Sequence, residues 1–103
     1  MIVRVWKARA TPQNAPAYRE HLETHVFPTL RSVRGFVSAD LMQRREGDEV
    51  ELVVSSRWTD LDAVRQFAGD ALENTVVAPA AKAVLSSFDA LVAHYELAAE
   101  CRA

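Results

Sequence analysis

Phe36–Trp58, FVSADLMQRREGDEVELVVSSRW, carries two strand-like runs joined by a polar turn. Phe36 to Arg45 and Glu49 to Trp58 are rich in β-branched and apolar residues. Between them lies Glu46-Gly47-Asp48, whose central glycine predicts a hairpin. Reading outward in both directions, the chain alternates strand and helix in an order that few folds accommodate.

Upstream, Ile2 to Ala10 (IVRVWKARA) reads as a strand that ends at Thr11-Pro12. Thr11 can cap a helix, and Pro12 suits its first turn, where the missing N–H would have no partner anyway. Ala15, Tyr18, Leu22, Val26, Thr29, Leu30 and Val33 recur at spacings of three and four, one stripe of a long helix. Pro28 removes the bond back to Thr24 and should kink it. Phe27 lies off the stripe, and Gly35 closes the segment.

Downstream, Thr59 followed by Asp62 resembles a capping box. Leu61, Val64, Phe67 and Ala68 give the helix an apolar side, and Gly69 ends it. Pro79 opens a further short helix carrying Val84 and Leu85. Phe88 to Leu97 (FDALVAHYEL) is read as the last strand. The expected order is strand, helix, strand, strand, helix, strand. With right-handed crossovers this is α+β, the ferredoxin-like βαββαβ arrangement: a four-stranded antiparallel sheet with helices on one face. Residues 1–97 form one domain in this reading, and 98–103 a loose tail.

Each strand carries apolar residues on both faces. Ile2, Trp6 and Ala8 oppose Val3 and Val5; Leu52 and Val54 oppose Val53; Val92 opposes Leu91 and Tyr95. Helices of a single chain cover one face only, so a second subunit is expected on the other, most simply in a homodimer.

The 103 residues suffice for one domain, half of them hydrophobic and a quarter charged. A formal charge of −2 gives no general attraction to nucleic acid or anionic lipid. No run reaches the ~20 apolar residues of a membrane helix, and Met1–Lys7 lacks the features of a secretory leader. With one cysteine, Cys101, an internal disulfide is impossible and a cytoplasmic location is expected. Phosphate loops, nucleophile elbows and Cys-x-x-Cys pairs are missing. His21 and His25 have the i, i+4 spacing that can hold a metal, but no third ligand accompanies them, and no metal site is assigned. Arg4 and Trp6 share a face of the first strand and could enter a space between sheet and helices. Trp58, at a strand-to-helix turn, could anchor the core or wall a pocket. His94 and Tyr95 point to opposite faces, so at most one can line a given cavity.

The chain resembles the antibiotic biosynthesis monooxygenase family of dimeric α+β barrels. The residues concerned are the apolar first strand leading into Thr11-Pro12, His21-Leu22 followed by Pro28-x-Leu30, Arg34-Gly35-Phe36, and Trp58-Thr59-Asp60-Leu61-Asp62-Ala63-Val64. The resemblance implies a homodimer with one ligand pocket per subunit. Some members oxidise phenolic polyketide intermediates to quinones with O2 and without metal, flavin or haem. Carried over to this chain, Trp6, Tyr18, Trp58 and Phe67 would wall the pocket, Arg4 would stabilise the substrate anion, and His25 or His94 would relay a proton. A haem-degrading branch uses an Asn, a Trp and an axial His where this chain has Trp6, Phe67 and Val77; a valine cannot ligate iron, so that activity is not expected. The alternative is a non-catalytic dimeric barrel that binds a small hydrophobic molecule.

Overall fold

The computed structural model describes all residues, 1–103. Its strands are β1 (Ile2–Ala10), β2 (Phe36–Glu46), β3 (Glu49–Trp58), β4 (Ser87–Phe88) and β5 (Ala93–Glu96). Its helices are α1 (Ala15–His21), α2 (Phe27–Arg31), α3 (Leu61–Ala68) and α4 (Pro79–Lys82). The sheet is antiparallel, ordered β2-β3-β1, with β4 and β5 both on the free edge of β1. No helix is long and apolar enough to cross a membrane.

The expected last strand is interrupted. Phe88 pairs with Ala8, yet Ala93 pairs with Val5, so five steps on one strand match three on the other. The two extra residues bulge outward. There Val92 N–H donates to Glu73 O and Thr75 N–H to Ala90 O, tying the 72–76 loop to the bulge. The indole of Trp6 fills part of the gap, its Nε1–H donating to Asp89 O at 2.8 Å. The alternation expected along this segment therefore fails between Phe88 and Ala93, because the ladder partners there belong to a loop.

A second irregularity sits at the start of β2. Phe36 opposes Trp58 and Ser38 opposes Arg57, so Val37 is bulged out. Strict alternation groups Val37 with Ala39 and Leu41. The bulge instead places Phe36 on their face, where it meets Trp58 edge-on at 5.3 Å. In the hairpin only Gly47 and Asp48 lie outside the ladder, and Gly47 has the positive φ (60°) that a two-residue turn of this kind requires.

The long helix differs from expectation in two respects. It starts at Ala15 rather than Pro12, because Thr11 O accepts from Asn14 and Ala15 N–H and closes a turn first. Its disturbance lies before Pro28: Leu22–Val26 form a wide π-helical turn in which Phe27 N–H reaches Leu22 O. The proline ring would collide with Thr24 O in an α-helix, and widening the preceding turn removes that clash. The extra residue also turns Phe27 inward, where it packs against both parts of the core. At α3 the cap is Asp60, not Thr59. Asp60 Oδ1 accepts from Ala63 N–H at 2.9 Å, while Thr59 N–H is held by Gly35 O. Helix α4 is a single turn, and Val84 and Leu85 lie beyond it, packed against the core.

Between sheet and helices, one core cluster gathers Trp6, Ala8, Tyr18, Leu22 and Leu52, and the other Leu30, Trp58, Ala63 and Val64. The opposite face of the sheet meets no helix.

Candidate functional site

A cavity of about 170 Å³ is lined by residues of both core clusters. Its floor comes from alternate residues of the central strands, Arg4 and Trp6 of β1 with Val54 and Ser56 of β3. The register pairs Arg4 with Ser56 and Trp6 with Val54. The period of two along each strand thus brings one cation and one hydroxyl side by side on an apolar floor. Tyr18, Leu22, Val26 and Leu30 of the long helix form a wall, Phe67 of α3 forms one end, and Thr75–Ala78 close over the top. His25, Thr29 and Val76 are exposed and mark the rim.

Arg4 dominates the electrostatics. It is 5% exposed and takes part in none of the ion pairs, all of which lie elsewhere on the molecule. Its Nη1 donates to Leu72 O (2.7 Å) and to His94 Nε2 (2.9 Å), and Nη2 donates to Asn74 O (3.1 Å). Its Cζ lies over the Phe67 ring, 5.8 Å from the centroid. Burial without a counter-charge lowers the guanidinium pKa to about 10. That still leaves the group charged at neutral pH. A cation so placed is neutralised in part by carbonyl dipoles and is left to attract an anion.

Trp6, Tyr18 and Phe67 are all on the cavity. The Trp6 N–H is committed to Asp89 O, so the indole offers only its apolar surface. The Tyr18 hydroxyl has no protein partner, and burial raises its pKa above the usual phenol range; it stays protonated and can donate into the cavity. Ser56 Oγ accepts from Trp58 Nε1 at 2.9 Å, which leaves its own hydrogen free.

Two candidates stand elsewhere. Trp58 is wholly buried and does not reach the cavity. Its ring stacks behind Phe67 at 5.7 Å, so it supports the wall rather than forming it. His94 pairs with Arg4 across β5 and β1 and does not line the cavity either. An arginine only donates, so His94 Nε2 must be the acceptor and its proton must sit on Nδ1. Burial, then the Arg4 charge, lowers the His94 pKa and favours this neutral form. A ring so engaged orients Arg4 and is not free to relay a proton.

His25 is on the rim, and so is His21, which the sequence singles out only as half of a metal-type pair. Their rings lie 5.6 Å apart. Burial, then the His25 charge, lowers the His21 pKa, leaving it an unprotonated imidazole at neutral pH. No cluster of three or more His, Cys, Asp or Glu surrounds them. Ser56 and Thr75 also line the cavity. Ser56 is detectable in principle from the sequence, because it falls on the Val54 face of β3 opposite Arg4; Thr75 lies in a segment without periodicity.

Among solved structures, SnoaB of Streptomyces nogalater, a cofactor-independent oxygenase seen as its N63A mutant, is 21% identical; the match spans 96% of this chain and 94% of that one, with a TM-score of 0.66. Rv0793 of Mycobacterium tuberculosis is 19% identical over 98% of both chains, with a TM-score of 0.65. The ActVA-Orf6 monooxygenase of Streptomyces coelicolor, in complex with nanaomycin D, is 23% identical over 66% of this chain and 60% of that one, with a TM-score of 0.52. At these identities the likeness is one of fold. No functionally curated protein matches the sequence. The family profile described as antibiotic biosynthesis monooxygenase matches residues 1–72, which include both central strands and α3. The chain belongs to the antibiotic biosynthesis monooxygenase family.

Proposed function

We propose that this protein is an oxygenase that binds a small phenolic aromatic in the cavity and oxidises it to a quinone with O2, using no cofactor. The observation that carries the reading is a buried guanidinium without a carboxylate partner, on the floor of an otherwise apolar cavity. In such a setting a phenolate is favoured over the phenol, since the anion gains the Arg4 charge in a poorly screened space. The proton passes to an imidazole of the rim, His21 or His25. The electron-rich anion reduces O2, and oxygen adds to the ring carbon. Loss of water then leaves the quinone. One phenol and one O2 thus become one quinone and one water, with one oxygen atom retained on the ring and the other released. Trp6, Phe67 and Tyr18 hold the ring, and the apolar wall keeps bulk water from the intermediate.

The uncovered sheet face supports a homodimer. Val3, Val5 and Val53 lie at its centre, flanked by Met42 and Tyr95, which are 53% and 58% exposed. We infer that a second copy covers this face about a two-fold axis.

The test is oxygen uptake by chelator-treated protein with a panel of mono- and dihydroxy-arenes, with the product identified by mass. Quinone formation that falls at least tenfold in Arg4→Gln is the expected result. Binding without uptake across the panel would leave a ligand-binding barrel in place of an enzyme.

A further inference from the structure

The donors of Arg4 point to the kind of anion the cavity takes. A guanidinium has five N–H groups. Both hydrogens of Nη1 are used, by Leu72 O and His94 Nε2, and one hydrogen of Nη2 by Asn74 O. Nε–H and the second Nη2 hydrogen have no protein partner. No buried side-chain nitrogen is left without a bond, so the unpaired Nε is not sealed inside the protein, and Arg4 itself lines the cavity; Nη2 keeps one hydrogen beyond its bond to Asn74 O. Nε and Nη2 form one edge of the guanidinium plane, the edge whose parallel hydrogens match the two oxygens of a carboxylate.

The three bonds already made fix the plane. Leu72 and Asn74 are held through the 72–76 loop, which is itself tied to the bulge by Val92 N–H and Thr75 N–H. His94 holds the third hydrogen, and Phe67 supports the guanidinium at 5.8 Å. A fork immobilised in this way gives up little side-chain entropy when it binds.

Size narrows the ligand further. An engineered apolar cavity of about 150 Å³ admits benzene, and this one measures about 170 Å³. It therefore takes one ring with its substituents, or a fused pair. A third fused ring would have to stand out in the rim between His25 and Val76.

We propose that the cavity is a binding site for a one- or two-ring aromatic carboxylate, whose two oxygens take the free Nε–H/Nη2–H edge of Arg4 while its ring lies among Trp6, Tyr18 and Phe67. The proposal builds on the cavity invoked for the oxygenase reading and narrows its substrate to an aromatic acid with the hydroxyl beside the carboxylate, so that both oxygens lie in the field of Arg4, but it concerns binding and stands or falls on binding.

The experiment is calorimetric titration of the wild-type protein with benzoate, 2-hydroxybenzoate and 1-naphthoate, each against its neutral carboxamide. The acids should bind at least tenfold more tightly than the amides. Arg4→Lys, which keeps the charge and removes the fork, should lose most of that preference, and Arg4→Gln all of it. A second readout needs no variant: the Nε–H resonance of Arg4 in 15N-labelled protein should move downfield on adding benzoate and stay in place with benzamide. Equal binding of acids and amides, a preference that survives in Arg4→Lys and Arg4→Gln, an unmoved Nε–H signal, or no binding of any acid would each overturn the proposal. Acids that bind but are never oxidised would remove the oxygenase reading alone. Oxidation of neutral phenols with no preference for acids would remove this one alone.

Discussion

Replacing Arg4 with methionine separates a cation held for a ligand from an arginine that braces the fold. The substitution removes donors from Leu72 O, Asn74 O and His94 Nε2. A buried acceptor that loses its donor costs about 1–3 kcal/mol, less where cavity water can replace it. Against this, the variant no longer buries an unpaired charge. The lowering from 12.5 to about 10 corresponds to at most about 3.5 kcal/mol at ~1.4 kcal/mol per unit, less whatever screening the cavity water provides. Methionine keeps much of the packing against Phe67. All three bonds are only part-buried and Asn74 is exposed, so water can reach the acceptors and the low end of that cost applies to each; set against the relief of the charge, the expected net loss is about 1–2 kcal/mol, read as a shift of the guanidinium chloride midpoint at fixed protein concentration. The damage should be local. Amides of Thr75 and Val92, whose bonds tie the loop to the bulge, should exchange with deuterium faster, while those of β1 and β3 keep their protection. A loss above about 4 kcal/mol, or exchange that rises throughout the central strands, would refute the reasoning and make Arg4 a structural strut.

Gly35→Ala should be among the most damaging single changes, because a Cβ there would lie 2.6 Å from Ala63 Cβ and 2.7 Å from Thr59 Oγ1 at a φ of 90°. A thermal midpoint lowered by less than about 5 °C would contradict it. Leu52→Ala, at a fully buried site of the central strand β3, should cost about 2–5 kcal/mol by chemical denaturation. His94 and His21 both have lowered native pKa values, so their contribution to stability is fully present above the unfolded value near 6.5. It is lost as pH falls below that value, because the unfolded chain then binds protons that the native state resists. Denaturation midpoints between pH 8 and pH 5 should therefore decline towards acid, and less steeply in His94→Gln; an identical slope in that variant would count against the assignment. Val53→Lys, on the uncovered face, should give a monomer by sedimentation with the native circular dichroism retained.

The order of elements was legible in the chain because it depends on local patterning. The β-branched runs at Ile2–Ala10 and Glu49–Trp58, the turn at Gly47 and the helical spacing from Ala15 to Val33 each reflect physics within a few residues. Arg4 and Trp6 on one strand face followed from the period of two alone. Tertiary structure decided what needs a partner from far along the chain. The bulges at Val37 and between Phe88 and Ala93 arise from fitting strands to neighbours, and they place Phe36 inside and give the loop at residues 72–76 a ladder partner. That Trp58 stands behind Phe67, that His94 accepts from Arg4, and that Arg4 keeps donors unused are outcomes of contacts across as many as 90 residues. A strand's periodicity assigns a side chain to a face. Which hydrogen bonds remain unused on that face depends on what the rest of the fold brings to it.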